Sequence, residues 1–133
     1  MPPNSPAVRE WLVKAQRDLR MAHLAFQDDP PLFDSGCFHC QQAAEKALKG
    51  LLELHACPTP KIHALGRLLD LCEPFTDRFR MLRPDLLALS HYAVIIRYPT
   101  SKDPTAEDAR NALRTAEQLF ENVLDLVPQD AHP

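Results

Sequence analysis

Glycine is scarce in this chain: three residues in 133, against thirteen prolines. A sheet-rich fold needs glycine-bearing tight turns between its many short strands, so this composition points away from sheets and toward helices. A basic excess is missing too. With 15 Lys and Arg against 18 Asp and Glu, the formal net charge is -3. That excludes a protein that holds duplex nucleic acid through many phosphate contacts, and any nucleic-acid role has to be local. No apolar run approaches the ~20 residues needed to cross a bilayer. The opening MPPNSPAVRE has neither a basic n-region nor an apolar h-region, so a cytoplasmic protein with no membrane contact is expected. Four cysteines are too few and too irregular for a secreted disulfide framework. Three of them lie inside helical patterns, which makes reduced, buried thiols the expectation.

Chemistry-bearing motifs are equally sparse. There is no P-loop, G-x-G-x-x-G, H-E-x-x-H or nucleophile elbow, which argues against independent ATP hydrolysis or hydrolase chemistry. No Glu is followed by His at the third place, so the di-iron pattern of helical bundles is absent. Cys37 and Cys40 make a lone C-x-x-C on a helical stripe, with His39 pointing away from it, and read as core rather than as zinc ligands. No metal and no cofactor is expected.

What is present is a sequence cut by proline. The length suits one domain over 1–133, with an ordered core at about 7–127 and loose ends before Pro6 and after Pro128. Proline lacks the amide donor and strikes the preceding turn, so helices fall between its positions. The uninterrupted stretches are 7–29, 32–57 and 105–127, with shorter ones at 61–73 and 85–98. Val8, Leu12, Ala15, Leu19, Ala22 and Phe26 stripe the first, with Arg9, Gln16, Arg17, Arg20 and His23 opposite. Ala109, Leu113, Ala116, Phe120, Val123 and Val127 stripe the last, which opens on Thr105 with Asp108 three residues later as an N-cap with an acidic first turn. Asp34 or Ser35 can cap the second helix, and His63 to Cys72 reads as a short apolar one. Leu82, Leu86, Leu89, Ala93 and Ile96 stripe the fourth, which has a second apolar line in Leu87, Val94 and Tyr98 beside His91. That helix either lies at the bundle centre or meets another subunit. The fold expected is all-α, an antiparallel up-and-down bundle of four main helices with one short extra.

The informative segment is CFHCQQAAEKALKGLLEL, Cys37 to Leu54. On a helical wheel at about 100° per residue, Phe38, Cys40, Ala44, Ala47, Leu48, Leu51 and Leu52 make one apolar arc, and Gln41 and Glu45 fall inside it. Gln42, Lys46, Lys49 and Glu53 take the expected solvent face. A carboxylate facing a core needs a specific partner. Arg97, closing the fourth helix, is the donor nominated; the alternative is that the arc turns outward and Glu45 simply pairs with Lys49 one turn on. Arg97 itself either complements a helix dipole or serves a site. Ser90 lies two turns before it on nearly the same line. Gln41, Glu45, Lys46, Lys49, Ser90 and Arg97 together would make a cleft for a phosphate-bearing ligand.

These segments carry a resemblance. QQAAEKALKGLL, then His63-Ala-Leu before a leucine-rich helix, then LSHYAVIIRYP resemble the HEPN domain, over about Trp11 to Val127. The resemblance implies an antiparallel helical bundle and a homodimer. It also implies a role as toxin, RNA-processing or nucleotide-binding partner in two-component systems with a minimal nucleotidyltransferase. Many such proteins are metal-independent ribonucleases with an Arg followed after four to six residues by a His, where arginine stabilises phosphorane charge and histidine moves protons. That signature fails here. After Arg97 no histidine comes until His132; Arg17 and His23 point about 120° apart on a helix; and between Arg83 and His91 stands one residue too many. The resemblance therefore favours a helical nucleotidyltransferase partner that binds nucleotide or RNA. The competing readings are a ribonuclease toxin using Arg97 with His91 or Tyr98 as a non-standard proton carrier, and a purely structural interaction module.

Overall fold

A computed structural model describes residues 4–58, 61–93 and 102–133. Every element among them is helical: α1 (Ser5–Gln27), α2 (Phe33–Leu54), α3 (Leu65–Cys72), α4 (Arg83–Ser90) and α5 (Ala106–Leu126), with 3-10 turns at His91–Ala93 and Gln129–Ala131. The all-α bundle is as expected. The bounds follow local chemistry. Pro6 stands in the first turn of α1, where its missing N–H costs nothing. Thr105 caps α5 in a complete capping box, its hydroxyl accepting from the Asp108 N–H while the Asp108 carboxylate takes the Thr105 N–H. The cap expected for α2 does not form: its N-cap position is Leu32, and the Asp34 carboxylate takes only the Ser35 N–H. The fourth helix is shorter than its apolar stripe within the described residues, since the α geometry ends at Ser90 and tightens into a 3-10 turn. Val94, Ile96, Arg97 and Tyr98 lie outside the described residues.

α1 and α2 form an antiparallel hairpin. The Ala25 carbonyl accepts the Leu32 N–H at its closed end, Asp18 meets His39 and Lys46 midway, and the Asn4 amide reaches the Glu53 carbonyl at its open end. Two glycines permit the close approach. A Cβ at Gly36 would collide with the Phe26 ring, and one at Gly50 would stand 3.2 Å from Leu12 and 3.3 Å from Trp11. α3 and α4 make a second antiparallel pair, held by the Asp70–Arg83 ion pair at 2.8 Å and by Ser90, whose hydroxyl accepts the Leu65 N–H at 3.1 Å. α5 closes the core, burying Ala112, Ala116, Leu119, Phe120 and Val123 as it packs mainly against α2 and also against α1 and α4. Among the described residues, Ser5 is buried at the start of α1, and the Gln129–Ala131 turn packs Ala131, fully buried, beside α1. No helix among the described residues is long and apolar enough to cross a membrane.

Candidate functional site

Along one side of α2, where α1 and the segment before α3 meet it, the core contains charge. Gln41, Glu45 and Lys49 are buried on α2, and Asp18 is buried on α1. They form two clusters of the same composition, each a carboxylate holding one lysine and one histidine. In the first, Asp18 Oδ1 lies 2.8 Å from His39 Nδ1 and Oδ2 lies 2.5 Å from Lys46 Nζ. In the second, Glu45 Oε2 lies 3.2 Å from Lys49 Nζ, and His63 Nδ1 sits 3.2 and 3.3 Å from the two carboxylate oxygens.

Removing such ions from water costs several kcal/mol each, and only paired, hydrogen-bonded geometry offsets it. Both clusters meet that condition. The Gln41 amide supports the second twice over, reaching the Glu45 carboxylate at 3.5 Å and donating to the His63 carbonyl at 3.1 Å, while the Gln42 amide donates to Gln41 Oε1 at 2.7 Å. Lys49 Nζ also stands 5.7 Å from the centre of the Trp11 ring, within cation–π range. In each cluster the histidine faces outward and the acid inward. His63 keeps 70% of its side chain exposed against 5% for Glu45, and His39 keeps 20% against 7% for Asp18.

The structure revises several expectations. Glu45 is buried as its place on the apolar arc required, but its partners among the described residues are Lys49, His63 and Gln41; the nominated Arg97 lies outside them. The outward-turning alternative named Lys49 as partner, yet the arc does not turn outward, because Lys49 is itself buried under α1 rather than on a solvent face. Lys46 is partly covered and bound to Asp18. His39, expected to point away, points to α1. Ser90 is engaged at the start of α3, and His91 is exposed.

Sequence reasoning missed Asp18, His63 and Trp11 as members. Asp18 had a signal: it falls three after Ala15 and four before Ala22, inside the buried stripe of α1. His63, in a loop, had none beyond its place beside a short helix.

The thiols of Cys37, Cys40 and Cys72 are free and buried. Burial, with a smaller contribution from nearby acids, pushes Cys37 up to about 12, and burial raises Cys40 still further. Burial likewise takes Cys72 to about 12, and Tyr92, beside Cys37, to about 12. Two depressions flank the charged face. A groove of about 350 Å³ lies between Met21, Leu24, Leu32, Ser35 and His39, and one of about 180 Å³ lies beside Trp11, Glu10 and Lys14. A cavity of about 180 Å³ between α4 and α5, lined by Asp85, Tyr92, Asp108, Asn111 and Arg114 among others, shares no residue with the two clusters.

The arrangement belongs to a known architecture. A family model described as the HEPN domain matches residues 8–126. The chain belongs to the HEPN family. The matched span contains both clusters of this HEPN chain and agrees with the resemblance seen over Trp11 to Val127. Among solved structures it is similar to TT1696 from Thermus thermophilus, with 27% sequence identity and a TM-score of 0.75. That likeness covers 90% of this chain and 98% of the other. No curated protein matches.

Proposed function

We propose that this HEPN chain binds nucleotide or RNA on the charged α1–α2 face and acts as the helical partner of a minimal nucleotidyltransferase in a cytoplasmic two-component system. The observation that carries the reading is the pair of buried carboxylates, Asp18 on α1 and Glu45 on α2, each holding a lysine of α2 and a histidine. Stability alone does not call for this, because well-packed apolar residues serve a core as well or better. The clusters fix their outer members in place, and rigid, pre-set polar groups are what a ligand face requires.

Their charges also set terms for the ligand. Two acids offset two lysines, so the face carries no net charge from those four groups and does not act as a bare cationic trap. Lys46, the Gln42 amide and the imidazoles at its rim would contact phosphate or base edges one by one. Arg97, Gln41, Glu45, Lys49 and Ser90 complete or support the ligand set in this reading. A homodimer through the outer side of α4 accompanies it, supported by the exposed Leu87 and by Met81 just before the helix.

The test is equilibrium binding of ATP and of a mixed-sequence RNA oligonucleotide to the full chain. Saturable binding of either is expected, weakened about tenfold in Lys46→Ala with the fold retained. Absence of saturable binding to both would overturn the reading.

A further inference from the structure

Among the described residues seven large apolar side chains are exposed, and they fall into two groups. Leu71, Phe75, Met81 and Leu87 lie on α3, on α4 or between them, where the homodimer is placed above. Met21, Leu24 and Leu32 gather instead at the closed end of the α1–α2 hairpin, around the groove of about 350 Å³. On α1 the apolar pair is bracketed by charge. Arg17, Met21, Leu24 and Asp28 are spaced four, three and four, the interval of a coiled-coil seam. At about 100° per residue they share an arc of about 60°, on the side of α1 away from its buried stripe, and all four are exposed. Neither Arg17 nor Asp28 forms an ion pair among the described residues; Asp28 Oδ1 accepts the Asp29 N–H at 2.9 Å. Asp28 is also the C-cap of a helix with no basic residue in its last turn, a place where the helix dipole favours a cation. The missing positive charge has to come from outside the helix.

We infer that a second copy of this chain docks here, its α1 laid antiparallel on α1. A twofold axis midway between Met21 and Leu24 sets Met21 against the partner's Leu24 and Arg17 against the partner's Asp28, and symmetry repeats both contacts. Read along α1 the line is cation, apolar, apolar, anion, so it is its own complement when reversed. A parallel pairing would instead set arginine on arginine and aspartate on aspartate, which like-charge repulsion forbids. The partner's Arg17 is then the cation that the end of α1 lacks. Leu32, across the groove, adds apolar area beside the seam. The patch is small, so the association is weak, in the range of about 10 μM to 1 mM. It goes beyond the α4 homodimer and shares no residue with it. A copy that uses both contacts joins two neighbours, so pairs grow into larger assemblies.

The experiment is sedimentation of the full chain from about 1 μM to about 1 mM at low salt, with the Leu87→Glu variant beside it to remove the α4 contact. Average mass is expected to rise with concentration in both. Arg17→Glu and Asp28→Arg each place like charges across the seam twice over, and each alone is expected to weaken the pairing about tenfold or more. An equal mixture of the two variants is expected to restore it, because the carboxylate introduced at position 17 of one then meets the arginine introduced at position 28 of the other. Leu24→Glu is expected to abolish it. All these side chains are exposed, so circular dichroism should show the helices intact. A mass that stays flat to about 1 mM, a rise undiminished in either charge variant, or a mixture that associates no better than its components overturns the inference. Loss of mass at the lowest concentrations in Leu87→Glu bears on the α4 homodimer alone and leaves this contact standing.

Discussion

α2 and α5 are 22 and 21 residues long and both cross the core, yet they are held there in different ways. α5 opens on a full capping box, carries Glu107 and Asp108 in its first turn, and buries an apolar stripe with Thr115 as its one buried polar residue. Its stability comes from its own local signals and from apolar area. α2 opens with no side-chain cap and buries Gln41, Glu45 and Lys49 among its alanines and leucines. Those three depend on Trp11 and on the His63 loop, so α2 is stable only in company. One helix serves the fold, while the other also carries the groups from which a function can be made.

The sharpest way to break this comparison is to unpair α2. Lys49→Ala leaves the Glu45 carboxylate buried without its ammonium, and a loss of about 3–5 kcal/mol is expected by urea unfolding. Glu45→Leu combined with Lys49→Met replaces both ions with apolar groups and is expected to restore wild-type stability or better. The same double variant is expected to lose RNA binding, which would separate what α2 does for the fold from what it does for a ligand. A cost below about 1 kcal/mol for Lys49→Ala would mean that the pair behaves as a surface one.

In α5 the corresponding damage is purely a matter of packing. Leu119 is fully buried, and Leu119→Ala is expected to cost about 3 kcal/mol while leaving the ligand face intact. The thiols give a pH signature. Cys37 and Cys72 lie at about 12 in the fold against 9.0 as free side chains, so the folded state holds their protons longer than the unfolded chain does. Stability is therefore full below pH 9.0 and falls as pH rises toward about 12. Urea midpoints taken from about pH 8 to about pH 11 should decline, and Cys37→Ala should flatten the slope. The smallest effect is expected at the α5 cap, where Thr105→Ala costs about 1 kcal/mol by thermal unfolding.

The two helices also differed in how far they could be read from sequence. α5 was legible from cap to end because its pattern refers only to itself: Thr105 and Asp108 are three apart, and the stripe keeps a helical period. In α2 the burial of Glu45 was legible for the same reason. Of its partners, Lys49 one turn on was legible as an alternative, but His63 was not, because a loop contributes it and the wheel of one helix contains no information about its neighbours. Lys49 shows this most clearly. The wheel put it in solvent, but the close approach of α1 at Gly50 covers it. In the fourth helix the stripe gave no sign that α geometry tightens into a 3-10 turn at His91–Ala93; the stripe's last member, Ile96, lies outside the described residues.

The chain has one tryptophan, and it stands beside the Lys49 ammonium at the edge of the second cluster. Indole emission responds to nearby charge and to water, so a single native fluorophore reports on this site without any label. A titration that disturbs the Glu45–Lys49 pair should shift its wavelength or intensity, whereas an event confined to α5 should leave the signal still.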